Sequence, residues 1–401
     1  MKVLVTSSLY PTPGAPKVVG GAEIFVNRLV ESLVARGDTI EVVRAASLPD
    51  QKAERHNDVD VYSAPIRNIY LPFTEQRSAP LRGVWHAIED WQRTADIVGA
   101  RIDAFKPDLL HSNNLSGLTT GVWKAAFDRR IPIVHTLHDY YLTCPRCSRF
   151  SEGRACKHTC FSCKLLTISR RNATRQLRAV VGVSQRILDI HTELGLFADI
   201  QTQKVIRHAS ALKPLAPSPE PTSNVLRLGF IGRLTEEKGI YNLVKAVGLL
   251  PPSSVRLIIA GYASDELRRE LQDLAPRATL EFLGFIAPEK FYEQIDVVVI
   301  PPIWEEPGPI VVADARAAGK PFLGTRFGGI PEAVAHGAMG WLTEPDPQSL
   351  ADSIRQLLSK PDEIAAMVKQ LSLQTNPYTF ASVVDEYRDL FESVVESRQS
   401  A

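Results

Sequence analysis

Short runs of apolar, often β-branched residues alternate with amphipathic stretches along most of the chain. Residues 2–6 form such a run, residues 22–36 carry apolar side chains at helical spacing, and residues 39–43 form a second run. A similar run at residues 226–231 begins the second half, and residues 85–105 predict one long helix. Runs that are apolar throughout are typical of strands buried on both faces of a parallel sheet. The pattern therefore predicts an α/β fold built of βαβ units.

The length of the chain favours two domains. A chain of 401 residues exceeds the usual size of one domain. The proline-rich residues 213–223 are a candidate stiff linker and hinge. We expect an N-terminal domain over residues 1–210, with a cysteine-rich insertion at 144–163, completed by a C-terminal helix at 379–401. The second domain is expected over residues 211–378.

Composition and charge exclude some classes of partner. The 46 basic and 45 acidic residues nearly balance, so we expect no nucleic acid partner. No run approaches the ~20 apolar residues of a membrane span, and the first residues lack the apolar core of a signal peptide. We expect a cytoplasmic protein, with peripheral contact at the inner face of the membrane as a further option. The basic residues 164–178 predict a helix with a solvated face, and contact with anionic lipid headgroups is the alternative.

Charged side chains follow two of the predicted strands. In an open parallel sheet, ligands bind beyond the carboxyl ends of the strands. Glu306 lies in the loop after one strand, and Asp314 lies on the next helix, whose start offers unpaired N–H groups to a phosphate. Arg233 and Lys238 follow another strand, and two cations on one loop suit a departing diphosphate. Two acids alone, however, favour an ordinary loop with solvated acids.

Two features of the predicted N-terminal domain point to ligand contact. Gly20 and Gly21 stand at the start of the first helix, where the backbone could approach a phosphate closely, although many such pairs are only tight turns. His138 ends the strand predicted at residues 131–138, on the side of the sheet where ligands bind. A lone histidine is more often structural, so its position alone does not assign His138 a functional role.

All five cysteines lie in one short window. Their spacing is C-x2-C-x8-C-x3-C-x2-C, and His158 lies among them. Two short-spaced pairs joined by a loop suit a tetrahedral thiolate site, so we predict a structural zinc ion. Unligated thiols in a loop and an iron–sulfur cluster are the alternatives. The ligands favoured by spacing are Cys156, Cys160 and Cys163, with the fourth place open among Cys144, Cys147 and His158.

Two segments of the second half resemble a known family. The Glu306-to-Asp314 stretch, with Trp304 before it and Gly328-Gly329-Ile330-Pro331-Glu332 after it, resembles the E-x7-E motif of retaining, nucleotide-sugar-dependent glycosyltransferases of family 4. The segment from Gly232-Arg233 to Lys238-Gly239 resembles the G-R-x-x-x-x-K-G motif of the same family. This chain departs from the pattern with Asp314 in place of Glu and with Pro307-Gly308-Pro309 in the loop.

The resemblance implies the GT-B fold, in which two Rossmann-like, doubly wound parallel-sheet domains face a cleft. It implies transfer of a sugar from a UDP- or GDP-sugar to a glycan or lipid-linked acceptor, with retention and without a catalytic metal. Bacterial cell-surface polysaccharide or lipid-linked glycan synthesis is the expected setting.

The resemblance also implies roles for individual residues. His138 and Glu306 would contact the transferred sugar, and Asp314 would contact the ribose. A Cys-Pro after His-Asp recurs in the family, and this favours Cys144 as the fourth metal ligand over Cys147 or His158. The implied donor-binding residues are Gly20, Gly21, Arg233, Lys238, Gly284, Phe285, Ile286, Glu306, Gly308, Ile310, Val311 and Asp314.

Two other classes of function remain open on the sequence. One is a GT-B enzyme of different chemistry, either a phosphorylase, whose cofactor would need a Schiff-base lysine that the sequence does not identify, or an epimerase. The other is a non-catalytic nucleotide-sugar-binding protein, which the replacement at Asp314 keeps open. A binding protein would bind nucleotide without turnover, and an epimerase would release free sugar without an acceptor.

Overall fold

The structure is a computed structural model in which part of the chain is described. The described residues are 1–12, 20–47, 52–66, 68–71, 78–90, 94–212, 215, 225–335, 340–373 and 379–399. The predicted linker at 213–223 lies outside them apart from Leu215.

The chain divides into two compact units. The first comprises residues 1–149, 157–207 and 381–401, and the second comprises residues 150–156 and 208–380. The cysteine-rich segment, expected as one insertion in the first domain, is therefore split between the two units.

The elements are numbered in chain order. The strands are β1 (Lys2–Ser7), β2 (Thr39–Ala46), β3 (Lys52–His56), β4 (Val59–Pro65), β5 (Leu109–Ser112), β6 (Ile133–Leu137), β7 (Phe150–Ser151), β8 (Arg154–Ala155), β9 (Ala179–Gly182), β10 (Thr202–Val205), β11 (Leu226–Ile231), β12 (Val255–Ala260), β13 (Thr279–Gly284), β14 (Val297–Ile300), β15 (Phe322–Thr325) and β16 (Gly340–Thr343). The α-helices are α1 (Gly21–Ala35), α2 (Ala79–Glu89), α3 (Thr94–Phe105), α4 (Gly121–Phe127), α5 (Phe161–Leu166), α6 (Ile168–Ala173), α7 (Gln185–Glu193), α8 (Ile240–Gly248), α9 (Asp265–Leu274), α10 (Pro288–Tyr292), α11 (Ile310–Ala317), α12 (Ile330–Ala335), α13 (Pro347–Ser359), α14 (Pro361–Leu373) and α15 (Phe380–Gln399). Short 3-10 helices span Thr174–Gln176 and Glu236–Lys238.

The sheet of the first unit has the strand order β10-β9-β6-β5-β1-β2-β4-β3. Its pairs are parallel except for the β3–β4 hairpin at one edge. Strand β1 runs through the middle between β2 and β5, and its residues from Val3 onward are buried on both faces, as its unbroken apolar pattern predicts. The last helix, α15, packs Tyr387 and Phe391 against His111 of this unit, at ring distances of 5.4 and 5.1 Å.

The sheet of the second unit is parallel throughout, in the order β13-β12-β11-β14-β15-β16. This is the doubly wound arrangement, in which the order of the strands reverses between the first strand, β11, and its neighbour β14. Apolar clusters cover both faces of the sheet. The loops after β11 and β14 therefore emerge side by side at the switch point, where a doubly wound sheet usually binds its ligand.

The helix predicted over residues 85–105 is wrong in its length. The structure has α2 and α3 instead, with residues 91–93 outside the described part. Glu89, at the end of α2, is fully buried and accepts hydrogen bonds from the Gly117 amide and the Tyr141 hydroxyl. Tertiary partners of this end thus override the helical periodicity of the sequence.

The basic helix predicted at residues 164–178 is also divided. Helix α5 ends at Leu166 and α6 begins at Ile168, with Thr167 between them, and Thr174–Gln176 forms a 3-10 turn. Arg170 of α6 is fully buried: its guanidinium donates to Glu89 at 2.7 Å and to Asp90 at 3.0 Å, and it lies 4.0 Å from the centre of the Tyr141 ring. One of the predicted solvated cations is therefore part of the interior. No helix in the described ranges is long and apolar enough to span a bilayer.

Removal of the Arg170 guanidinium should destabilise the first unit. Arg170→Ala leaves the buried Glu89 carboxylate without its charged partner, which typically costs about 3–5 kcal/mol of unfolding free energy. Urea titration followed by fluorescence measures the loss as a lower midpoint. Arg178→Ala, at an exposed neighbouring arginine, is the matched control and should shift the midpoint little. Equal shifts for the two variants would contradict a structural role for the buried ion pair.

Candidate functional site

The second unit brings Lys238 and Glu306 into direct contact beyond the ends of β11 and β14. The Lys238 ammonium lies 2.6 Å from Glu306 Oε2 and 5.3 Å from the centre of the Trp304 ring. The Trp304 indole N–H donates to the same carboxylate oxygen at 2.9 Å. Glu306 is buried, so this oxygen is held by two donors in a site of low solvent exposure. Both residues are among those that the sequence predicts for donor binding.

Two glycines allow the loops of this site to approach each other. Gly239 follows Lys238 in the left-handed region, with φ of +76°, and a Cβ there would lie 1.7 Å from the Pro301 carbonyl oxygen. Gly328 has φ of +59°, and a Cβ there would lie 1.9 Å from the carbonyl oxygen of Glu306. The backbone contact with Pro301 therefore needs glycine at 239, and the backbone contact with Glu306 needs glycine at 328.

The neighbouring cation, Arg233, lies on the same loop as Lys238. Its side chain is 57% exposed, and its guanidinium is 3.6 Å from Glu237. An exposed ion pair of this length is weak, so the guanidinium can turn toward a ligand at small cost. Both cations lie on the loop after β11, where Lys238 is held by Glu306 and Arg233 is exposed.

The start of α11 and the second acid lie next to residues of the segment before β11. Helix α11 begins at Ile310 after Pro309, and Val311 is in its first turn. Asp314 accepts a hydrogen bond from the Ser210 hydroxyl at 2.6 Å. The ring of His208 donates through Nδ1 to the Gly308 carbonyl at 2.9 Å.

The environment of these groups fixes their charge. Burial lowers the pKa of His208 to about 4, against the opposing influence of the Gly308 carbonyl and Glu306, so this ring is neutral near pH 7. The pKa of the Tyr292 hydroxyl is raised, first by burial and then by Asp314, and this hydroxyl donates to the Val311 carbonyl at 3.2 Å. Sequence reasoning gave no role to His208 or Ser210.

An aromatic pair lies beyond the ends of β12 and β13. Tyr262 and Phe285 stack at 6.3 Å with an interplanar angle of 22°, and both are exposed. The Gly284 carbonyl accepts a hydrogen bond from the Gly261 amide at 2.8 Å, which aligns the two strand ends. Ile286 follows Phe285 directly. Gly284, Phe285 and Ile286 are predicted donor-binding residues, whereas Tyr262 is not.

The predicted site residues of the first unit lie at the start of one helix, α1, and after the end of one strand, β6. Gly20 precedes α1 and Gly21 begins it, and a Cβ on Gly20 would lie 1.8 Å from the Glu23 carboxylate. The ring of His138, after β6, donates through Nε2 to the Asn113 side-chain oxygen at 3.0 Å, so its Nδ1 carries no proton when the ring is neutral. Burial raises the pKa of the adjacent Asp139 to about 6, although this carboxylate accepts the Tyr141 amide.

The cysteines form a row of sulfurs rather than a closed metal site. The Cys163 thiol is hydrogen-bonded to both Cys144 and Cys160, and the Cys144 sulfur accepts the Arg149 amide at 3.4 Å. Cys147 directs its thiol to the Pro145 carbonyl at 3.9 Å, and none of the five cysteines forms a disulfide in the described part of the chain. Across the described ranges, no group of three or more His, Cys, Asp or Glu side chains is arranged to hold a metal ion.

Three of the four favoured metal ligands therefore lie close together. Cys156 belongs to the hairpin segment 150–156 of the second unit, and the alternate ligand His158 is exposed in the first. The zinc ion stays a prediction, which would require the row of sulfurs to close around the metal.

The chain thus has two α/β units, one with a doubly wound sheet and a charged site at its switch point and the other with a second, mainly parallel sheet. The family described as "Glycosyl transferases group 1" matches residues 218–372, and the one described as "Glycosyl transferase 4-like domain" matches residues 20–205. A relative from Klebsiella pneumoniae, described as an uncharacterized 42.6 kDa protein in the cps region, is 32% identical and covers 83% of this chain and 87% of its own. The chain belongs to the group 1 glycosyltransferases.

Solved structures agree with this assignment at the level of the fold. Sucrose-phosphate synthase from Thermosynechococcus elongatus matches with a TM-score of 0.71 at 18% identity, over 99% of each chain. Anabaena HepE, solved with UDP-glucose, matches with a TM-score of 0.70 at 22% identity, over 98% of this chain and 100% of HepE. The predicted family, fold class and enzyme class are confirmed.

The thiol row yields a direct test of the predicted zinc ion. Protein purified without chelator should contain about one zinc ion per chain by elemental analysis. Cys163→Ser, at the centre of the row, should remove most of it because a tetrahedral site loses a thiolate ligand. Cys147→Ser is the matched control and should keep the metal. Metal-free wild-type protein, or equal loss in both variants, would contradict the prediction.

Proposed function

We propose that this glycosyltransferase uses a nucleotide-sugar donor, a UDP- or GDP-sugar, and binds it at the Lys238–Glu306 site. The contact between these two side chains carries the proposal, because it joins a cation and a carboxylate where a doubly wound sheet binds its ligand. The UDP-glucose complex of Anabaena HepE, a protein of the same fold, supports this class of donor.

The diphosphate is assigned to the cations and to the start of α11. Arg233 is exposed and Lys238 lies on the same loop, so both can approach phosphate oxygens. The N–H groups around Ile310 and Val311, in the first turn of α11, add further donors for the phosphates. They precede the first hydrogen bond of the helix, which the Val312 amide donates to the Pro309 carbonyl. This arrangement stabilises the negative charge that develops as the diphosphate leaves, a role often played by a metal ion in other enzymes.

The two acids are assigned to hydroxyl groups of the donor. Glu306 Oε2 already accepts Lys238 and Trp304, so Oε1 is the oxygen that we assign to the transferred sugar. Asp314 would accept a ribose hydroxyl. The Ser210 hydroxyl donates to Asp314 and orients its carboxylate.

The nucleobase is assigned to the aromatic pair. Tyr262 and Phe285 are large, exposed rings at the ends of adjacent strands, and a base can stack on such a platform. Gly284 and Ile286 border this platform. The resemblance also assigns Gly20 and Gly21 to the diphosphate and His138 to the sugar, and the Asn113 hydrogen bond would fix the orientation of that ring.

The proposed chemistry is same-face attack with retention. The bond from the anomeric carbon to the leaving phosphate oxygen breaks, and a bond from that carbon to the acceptor oxygen forms on the same face. The leaving phosphate oxygen takes the proton of the acceptor hydroxyl. Trapping of a sugar covalently bound to the enzyme would contradict this mechanism.

The acceptor is proposed as a glycan or lipid-linked glycan of cell-surface polysaccharide synthesis. The description of the Klebsiella relative as a protein of the cps region supports this setting.

Loss of the Glu306 charge should suppress turnover. We expect one donor in a panel of UDP-, GDP- and ADP-sugars to release nucleoside diphosphate in EDTA, and Glu306→Gln to reduce that rate by about 100-fold or more, as for removal of a transition-state contact. The matched control is Glu344→Gln, at an exposed acid paired with Arg326. A circular dichroism spectrum in EDTA checks that the fold persists.

Other outcomes would favour the alternative functions. Binding of a nucleotide without turnover of any donor, even with candidate acceptors, would favour a binding protein. Release of an epimerised free sugar would favour an epimerase. Full activity of Glu306→Gln would contradict the assigned site.

Removal of the aromatic platform should weaken nucleotide binding. Tyr262→Ala should raise the Kd of the matching nucleoside diphosphate by roughly 5- to 100-fold, the usual cost of a lost stacking contact. Its affinity for inorganic pyrophosphate should stay unchanged, since pyrophosphate has no base. Phe127→Ala, at an exposed ring of α4, is the control, and calorimetry measures all three proteins. An equal loss for both ligands would contradict base stacking.

A further inference from the structure

The segment from Phe161 to Thr174 has its polarity reversed relative to a normal surface helix pair. Its exposed side chains include Phe161, Leu165 and Ile168, which are 82%, 62% and 58% exposed. Its buried side chains include Thr167 and Arg170. In most folded proteins large apolar side chains are buried and charged side chains are exposed, so this segment has the reverse arrangement. A cluster of this kind marks an interaction surface.

The buried face of this segment is fixed by polar contacts. Arg170 pairs with Glu89 and Asp90, and the Thr167 hydroxyl donates to the Cys163 carbonyl at 2.8 Å. Rotation that would bury Ile168 or Leu165 would expose or break this ion pair, at the cost of leaving a charge uncompensated. The apolar side chains are thus held outward by the structure beneath them.

The same surface is strongly basic. The sequence has no acidic residue between Glu152 and Asp189. The exposed cations of this stretch of the sequence include Lys157, Lys164 and Arg175. Lys164 and Arg175 line the same cavity as Ile168. Arg170 is excluded from this set because its charge is used in the interior.

A cavity lies beside the apolar residues. It has a volume of about 340 Å³, and its lining includes Ile168, the cations Lys164, Arg171 and Arg175, and one acid, Asp199. Three cations around one cavity suit an anionic phosphate group. Ile168 belongs both to the cavity wall and to the exposed apolar side chains, so phosphate and hydrocarbon could be bound side by side.

We propose that this surface, defined by Phe161, Leu165, Ile168, Lys164 and Arg175, docks the enzyme on an anionic phospholipid bilayer. The apolar side chains enter the boundary between headgroups and acyl chains, and the cations bind lipid phosphates. The combination of protruding apolar groups with flanking cations favours an anionic bilayer over a neutral partner surface. The docking surface lies in the first unit, so its test does not depend on the donor assigned to the second.

Vesicle sedimentation tests the proposal with the full chain. Wild-type protein should bind vesicles of phosphatidylcholine mixed with phosphatidylglycerol, and high salt should weaken the binding because it screens exposed charges. The triple variant Phe161→Ser, Leu165→Ser, Ile168→Ser should bind at least about 30-fold more weakly, given the apolar area that it removes. Lys164→Gln with Arg175→Gln should lose about 30-fold as well.

Controls separate docking from unfolding and from other ligands. Phe127→Ser removes an exposed ring of the same unit and should bind vesicles as wild type does. The melting temperature and donor hydrolysis of all variants should match those of the wild type.

Four results would overturn the proposal: wild-type protein that does not bind, equal binding to vesicles of phosphatidylcholine alone, retained binding in the triple variant, or complete competition by glycerol phosphate, which would indicate a site for a soluble phosphate. Self-association on gel filtration that the triple variant abolishes, without vesicle binding, would assign the surface to a second copy of this chain.

Discussion

One residue, Glu306, links three segments of the second unit through its carboxylate and its backbone. Its side chain accepts Lys238 from the loop after β11 and the indole of Trp304 from its own loop, while its backbone carbonyl accepts the Gly329 amide from the loop after β15. This convergence requires the loops to approach at van der Waals distance, which only glycine at 239 and 328 permits. A charged site is thereby formed from three loops that the parallel sheet already places side by side.

The sequence could predict those residues of this site whose positions follow from the local apolar pattern and from the geometry of a parallel sheet. Arg233, Lys238 and Glu306 follow apolar strands directly, and parallel strands bring their carboxyl ends to one edge, so their proximity follows from the pattern. Ser210 and Asp314 are 104 positions apart, and the hydrogen bond between them has no local signal. Tyr262 follows Gly261 and belongs to no motif in the sequence. Its stacking on Phe285 in the structure identifies it as a candidate site residue.

The same limit explains the differences in the fold. Helical periodicity predicts one helix over 85–105, which continues past Glu89. The partner of Glu89 is Arg170, 81 positions later in the chain, and a local pattern contains no information about so distant a residue. A basic segment usually indicates a solvated face, but one guanidinium is inside with two carboxylates and an aromatic ring. A buried charge is costly unless it is paired, so such a network fixes where the flanking elements begin and end.

This network and the thiol row together determine what the first unit presents to its surroundings. Cys160 and Cys163 flank Phe161 and are joined through Cys163 to Cys144, which follows His138 in the loop after β6. Helix α5 is therefore tied to that loop by sulfur contacts, and α6 is tied to α2 by the Arg170 ion pairs. Neither attachment relies on an apolar core beneath the helices. The apolar side chains of this segment consequently stay available at the surface, instead of serving as the contacts that hold it in place.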